Sequence, residues 1–579
     1  MNALYGAAAR RLLAKMISEL AWEDVLAPQD GVLRLASGAI WRFHGTRRIW
    51  DNLEIDPDSI ARDGGDTCPF RLITDARAEL AMSPATEAMF IREIANTLTQ
   101  DMATAERWGA LDGTALTALP GEDLHAALEG HPKALANRGR LGWGLAENAA
   151  FAPEAAQPIR LFWLAVARQD LAVSGEAEPA LRDALGPDFA RLCRAAGEDM
   201  LMPVHPWQWT GHLAQLTLPQ QAAGRIRPLG PAGHAFRATP SIRTLTRAGG
   251  RYDVKLALGI LNTSAWRGVP GKFIAHGPAI SDWLAGICAS DPALSRVTVL
   301  HEAAGQWWRD PVMARCPDAP YRHHEALGAI WRDRAEARAG GATPVLHAAL
   351  FHRGADGAPL AWHYARQAGM TLDAWLAALF RVTVVPLWLL LARYGVGFIA
   401  HGQNITVTLE DGRPVGMMLK DFQGDMDLVD QDFPQMQGLD PDIRAILPRK
   451  PPAVIIHDIQ TAHFVTSLRF LSARLAQWLP EAQFYAILRD VLQAARARHP
   501  DRAQRFALFD LFAPTMPRVC INKVRFEIGY EDSARRPLPA RGTDLGNPLF
   551  DPMSMPAPSP QSSRRPDGLP VSGSPAHQE

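Results

Sequence analysis

Apolar residues recur at intervals of three and four through the first 150 residues. The clearest case is "SPATEAMFIREIANTLTQDMATAERW", which opens at Ser83–Pro84. A mainly helical segment over residues 1–150 is predicted. From 151 to 365 the pattern changes to short apolar runs broken by turn residues, which predicts strands. Within it "VKLALGILNT" reads as one buried strand, with Lys255 near its start and Arg267 just past its end. Helical spacing returns near 370, where Thr371 is placed to cap "LDAWLAALF"; glycines should stop that helix in "RYGVGF". Next, "NITVTLEDGRPVGMMLKDF" alternates on both sides of Asp411–Gly412, the pattern of a hairpin. Two more helices are expected at "FVTSLRFLSARLAQWL" and "EAQFYAILRDVLQAARARH". The fold class that follows is α+β. Residues 1–150 are helical, 151–365 β-rich, and 366–533 a hairpin with helices. The tail, 534–579, is rich in Pro, Ser and Arg and is expected to be disordered.

Composition narrows the partners. Sixty Lys and Arg against 61 Asp and Glu leave a formal charge of −1, so no overall field recruits nucleic acid. Any anionic ligand must be met by a local cluster. The five cysteines (Cys68, Cys193, Cys288, Cys316, Cys520) have no zinc or CxxC spacing and fit a reducing compartment. Arg10, Arg11 and Lys15 interrupt the first apolar stretch, which reads as an amphipathic helix rather than a signal peptide. Arg381, Pro386 and Arg393 interrupt "LAALFRVTVVPLWLLLARYGVGFIA", so a buried helix is expected there rather than a membrane span. The expectation is a cytoplasmic protein without a membrane partner.

Two segments carry chemistry. In the first, Ser241 and Thr244 offer hydroxyls, Arg243 a planar fork and Lys255 a point charge, a set suited to phosphate oxygens. Arg267 follows in the glycine-bearing loop "NTSAWRGVPG". The plain alternative is an edge strand blunted by surface charge. The second segment is the hairpin. His401 and Asn404 precede one strand and Asp421 follows its partner, so the open ends should bring the three together. An imidazole, an amide and a carboxylate at one point suit a metal–nucleotide pair, as in the protein-kinase layout; a solvated turn is the alternative. Walker and GxGxxG patterns are absent.

In order along the chain, "SIRT", Lys255, "TSAWR", "HGQN" and "KDF" resemble the IucA/IucC family of NRPS-independent siderophore synthetases. "EGHPKALANRGRLGW" is similar to that family's N-terminal "EGHPxHPxxKxRxG" element, and "VHPWQW" to the segment that follows it. The resemblance implies thumb, fingers and palm subdomains with a kinase-like palm, a homodimer, and dependence on ATP and Mg²⁺. It implies adenylation of a carboxylate, commonly of citrate, followed by transfer to an amine or hydroxyl. By motif, Ser241, Arg243, Thr244 and Lys255 would grip phosphates. Arg267 and His401 would contact the carboxylate and α-phosphate, and Asn404 and Asp421 would hold the metal or nucleotide. A kinase-like phosphotransferase and a non-catalytic nucleotide- or carboxylate-binding protein are the alternatives. One departure stands out: Ala134–Leu135 replace a second His-Pro, and Arg138 replaces a Lys. His131 has both a structural and a functional reading. His205 reads as packed beneath Trp207 and Trp209.

Overall fold

The computed structural model describes residues 2–263, 265–436, 438–530 and 540–551. Helices Asn2–Trp22 and Pro84–Trp108 dominate the N-terminal segment. The second starts where the sequence placed it: Ser83 Oγ accepts from Thr86 N at 3.1 Å and Pro84 occupies the first turn. The segment is less helical than expected. Five short strands, β1 (Val32–Arg34), β2 (Ile40–Arg42), β3 (Gly45–Arg47), β4 (Leu53–Ile55) and β5 (Ala61–Arg62), form two small sheets between the helices. Each has two or three residues, too few for alternation to register.

Twelve strands follow: β6 (Ile159–Val166), β7 (Leu171–Gly175), β8 (Met200–Val204), β9 (Ile226–Ala238), β10 (Thr244–Thr246), β11 (Tyr252–Leu256), β12 (Leu258–Asn262), β13 (Ala265–Arg267), β14 (Val297–Val299), β15 (Glu302–Trp308), β16 (Gly328–Asp333) and β17 (Thr343–Leu346). Eight of them make one sheet, β7-β15-β16-β11-β10-β9-β6-β8. Every neighbouring pair in it is antiparallel. The run "VKLALGILNT" is therefore not one strand. Ala257 N donates to Gly328 O at 3.1 Å, and the chain then leaves the sheet so that β12 pairs with β13, with Leu261 also bridging to Leu141. Leu258 and Ile260 bury themselves against Trp143 and Ile242 in a separate cluster, which the apolar run could not distinguish from sheet core.

The expected division at 365 also moves. β14 and β17 join β19 (Ile405–Glu410) and β20 (Arg413–Leu419), after β18 (Val396–Phe398), in a second sheet, β14-β20-β19-β17. Val345, Leu350 and Phe351 share the core of Trp375, Leu379 and Trp388. β19 and β20 turn at Asp411 and Gly412, with φ 47° and 83°, the positive values that a two-residue hairpin turn requires. Thr371 caps the apolar helix as expected, its Oγ1 accepting from Ala374 N at 3.3 Å. The helix breaks at Thr383 into Leu372–Val382 and Val384–Tyr394, because Pro386 has no N–H for the Val382 carbonyl. Gly395, at φ 66°, ends the second piece. Leu372–Tyr394 is apolar and long enough to cross a membrane, but 72% of its most apolar window is buried inside the protein.

β21 (Met426–Val429) and β22 (Arg449–Lys450) extend β18 into a third sheet. Last come β23 (Thr515–Cys520) and β24 (Ala540–Gly546), an antiparallel pair. The expected tail was placed too early: 540–551 fold back, with Leu545 and Leu549 only 2% and 0% exposed. Two leucines among charged neighbours were enough to bring a polar segment to the core. Residues 552–579 lie outside the described part of the chain.

Candidate active site

The two sheets meet through an ion pair. Lys255 sits on β11 and Asp421 just past β20, in left-handed backbone at φ 67°. Lys255 Nζ donates to Asp421 Oδ1 at 2.9 Å, and Arg332 Nη1 of β16 lies 3.1 Å from the same oxygen. Arg332 is directly opposite Asp253 in the β11–β16 register, and its Nη2 lies 3.5 Å from Asp253 Oδ2. Burial would raise the Asp421 carboxyl, but Lys255, Arg332 and Lys420 together hold it well below the usual range. Lys420 is itself pushed down to about 8 by burial, with Arg332 adding to the effect.

This ion pair borders a narrow cleft lined by Ser241, Thr244, Thr406, Arg332 and Lys420, and also by the carboxylates Glu122, Asp253 and Glu336. Hydroxyls and two cations, donors of the kind phosphate oxygens need, share this space with carboxylates that a divalent cation could bridge to phosphate. Ser241 Oγ accepts from Thr244 N at 3.2 Å and meets Thr239 Oγ1 at 3.1 Å. The turn depends on Ile242, whose backbone is left-handed at φ 64° and whose side chain is fully buried. Arg243 turns elsewhere: its guanidinium donates to Gly268 O and ties the strand segment to the loop after β13.

Arg267 and His401 belong to a neighbouring group. Arg267 Nη2 donates to Asn262 O at 2.7 Å and to Thr263 Oγ1. His401 Nδ1 accepts from Gln403 N at 3.3 Å. His131 joins them. Its Nδ1 accepts from Lys133 N at 3.2 Å and Ala134 N at 3.0 Å, and Lys15 Nζ donates to its carbonyl at 2.8 Å. Burial pushes His131 down to about 3, and His401, Lys15, Lys133 and Arg267 act in the same direction. His401 is lowered by burial too, against the pull of Asp425 and Asp421. Two imidazoles with Arg267 and Lys15 give a locus for an anionic substrate. Asn404 gives its amide to Asp425 Oδ2 at 2.8 Å and to Ile399 O at 3.2 Å, which adds a second carboxylate, Asp425, to the expected group.

The motif departure has a structural outcome. Leu135 is 1% exposed and its N–H donates to Asn522 Oδ1 at 3.2 Å. Arg138 engages Asp101, Glu154 and the Leu128 carbonyl. These positions shape the loop that presents His131. His205 caps the turn after β8, accepting from Trp207 N at 3.2 Å. Its ring meets Phe151 and Trp143, at 5.0 and 6.3 Å, so it does not lie beneath Trp207 and Trp209.

Sequence reading missed Arg332, Lys420 and the cleft-lining His125. A signal existed for Arg332: a cation in the apolar run "GAIWRD", in which every residue is buried. Lys420 belongs to "KDF", the motif that also holds Asp421. Among the described residues no three His, Cys, Asp or Glu side chains form a metal cage. The oxygen donors on the hairpin side are Asp421 and Asp425, ligands of the kind that Mg²⁺ takes together with substrate phosphates.

The IucA / IucC family model matches residues 123–352, and the model for ferric iron reductase FhuF-like transporters matches residues 373–534. Aerobactin synthase of Escherichia coli is 40% identical over 562 residues, 93% of this chain and 97% of that protein. Rhizobactin siderophore biosynthesis protein RhbF of Rhizobium meliloti (strain 1021) is 36% identical over 576 residues, 94% and 96% of the two chains. The structure of aerobactin synthetase IucC from a hypervirulent pathotype of Klebsiella pneumoniae superposes with a TM-score of 0.86 at 36% identity, covering 95% of this chain and 99% of that one. The chain belongs to the IucA/IucC family of siderophore synthetases.

Proposed function

We propose that this protein is an ATP- and Mg²⁺-dependent siderophore synthetase that adenylates a citrate-type carboxylate and transfers the acyl group to an amine or hydroxyl. The observation that carries the reading is the cleft at the Lys255–Asp421–Arg332 contact, where hydroxyls and cations stand beside carboxylates, the mixed lining that a metal–nucleotide pair needs. The similarity to an aerobactin synthase and a rhizobactin biosynthesis protein along nearly the whole chain supports siderophore assembly as its role.

In this reading the eight-stranded sheet is the fingers and the β19–β20 sheet a kinase-like palm, with the helical N-terminal segment as thumb. Ser241, Thr244, Lys255, Arg332 and Lys420 bind the phosphates, and Arg243 holds the loop that carries Arg267. Asp421, Asp425 and Asn404 form the metal side; Mg²⁺ bound there would offset phosphate charge. A carboxylate oxygen of the acid bonds to the α-phosphorus as the bond to the β-phosphate bridge breaks, releasing pyrophosphate. The acceptor nitrogen or oxygen then bonds to the acyl carbon, AMP leaves and the acceptor loses its proton. Arg267 and His401 stabilise the charge that builds as two anions approach. A homodimer and a cytoplasmic location, where ATP is available, complete the reading.

Pyrophosphate and AMP release, measured over a panel of citrate-type acids with hydroxylamine as acceptor, tests it. Release dependent on ATP, Mg²⁺ and one acid supports the proposal. ADP as sole product means γ-phosphoryl transfer instead, and tight ATP binding without turnover means a binding protein.

A further inference from the structure

The loop "IAHGQN" carries His401 and Asn404, and it is seated on a rare backbone form. Residues Gln460–Leu468 are π-helical for nine residues, a widened geometry that is uncommon and concentrates at functional sites. From this segment His463 reaches the loop: its Nδ1 lies 2.9 Å from Ala400 O. A carbonyl can only accept, so Nδ1 carries the proton and donates. His463 is fully buried, and burial holds it down to about 4, so the neutral donor form persists at ordinary pH. The opposite side of the loop is fixed as well. Ala348 N donates to Gly402 O at 2.9 Å, and a Cβ on Gly402 would come within 3.0 Å of that same nitrogen. His347, also fully buried, lies with its ring 4.7 Å from that of His463, and neither of its nitrogens has a hydrogen-bond partner among the described residues. Two buried imidazoles that make one hydrogen bond between them are costly to keep for packing alone.

We infer that His463 is a positioning residue: through the Ala400 carbonyl, the π-helical segment sets the direction of His401 toward the reacting carboxylate, with His347 holding the His463 ring in place. The inference rests on the adenylation reading above. It adds a residue that touches neither nucleotide nor acid but governs the rate at which they react.

The test uses the full chain and three variants. His463→Phe keeps the ring and loses the donor; His463→Asn places an N–H near the Nδ1 position; His463→Gln places one near Nε2 instead. ATP affinity is read by calorimetry, and the AMP-forming rate in single turnover at saturating ATP and acid. The expected result is a rate loss of about 10–100-fold in His463→Phe and His463→Gln, with ATP affinity within about threefold of the parent and most of the rate restored in His463→Asn. A parental rate in His463→Phe overturns the inference. So does an equal loss in all three variants, which would mark a packing role. If His463→Phe fails to fold, the Asn–Gln comparison decides, and equal rates in those two overturn it. A parent protein that forms no AMP overturns the adenylation reading itself, whereas an active parent with an active His463→Phe sinks the positioning role only.

Discussion

Lys255 Nζ and Asp421 Oδ1 lie 2.9 Å apart although 166 residues separate them in the chain. One stands on the eight-stranded sheet and the other at the open end of the β19–β20 hairpin, so the contact ties the two sheets across the cleft. Arg332 shares the same carboxylate at 3.1 Å. A triphosphate entering here would compete with Asp421 for both cations, and a divalent ion could take over the carboxylate.

Lys255→Ala should therefore weaken ATP binding by about 1–3 kcal/mol, the range for a charge-assisted hydrogen bond. Asp421→Ala should act differently: Lys255 and Arg332 lose their internal partner, ATP binding without metal is kept, and the Mg²⁺ requirement changes. Calorimetry with ATP, with and without Mg²⁺, separates the two. Normal Mg²⁺ dependence of activity in Asp421→Ala would remove Asp421 from the metal side.

Arg267→Ala and His401→Ala should leave ATP affinity within a few-fold of the parent and lower the adenylation rate by about 10²–10³. Both stand with His131 in a group beside the cleft, and neither is a partner of the Lys255–Asp421–Arg332 contact, although Asp421 acts on His401. The Arg267 charge and a His401 hydrogen bond are used as the acid closes on phosphorus, which is differential binding of the transition state. Calorimetry paired with single-turnover AMP formation measures the split; loss of ATP binding with an unchanged rate at saturation would make that residue a phosphate grip.

Truncation should divide sharply at Asp551. Ending the chain there removes a segment poor in apolar residues, and melting temperature and turnover should not change. Ending it after Pro539 removes β24 with Leu545 and Leu549, each worth about 1.5–3 kcal/mol of burial. Thermal melts of the two truncations, run side by side, give the answer; equal melting temperatures would show that the β23–β24 pair contributes nothing.

Acid should destabilise the protein through its buried imidazoles. Burial holds His205 down to about 3 and His463 to about 4, while an unfolded histidine titrates near 6.5. Below about pH 6.5 the unfolded chain binds protons that the folded one refuses, so stability falls with pH until the folded values are reached. Each such group contributes about 1.4 kcal/mol per pH unit across that window. Urea unfolding between pH 7 and 5 should show this slope, and His463→Asn should reduce it by one proton. An unchanged slope in that variant would mean that His463 is protonated in the folded protein.

The sequence by itself determined what short-range physics controls. Ser83 and Thr371 caps, the Asp411–Gly412 turn and the Gly395 stop depend on a few neighbouring residues, and each is found where its pattern lies. The convergence of His401 and Asp421 was legible for the same reason, since a hairpin joins its own open ends. Tertiary structure alone decided the rest. An apolar run reports burial but not the surface that covers it, so β11 and β12 read as one strand although they pack into different clusters. Strands of three or four residues carry too little pattern to show that β14 and β17 leave the large sheet for the second one. The apolar run around Arg332 signals a buried cation but not which carboxylate, on another sheet, meets it. That is settled by the β11–β16 register and by where the hairpin docks, both of which depend on contacts between residues far apart in the chain.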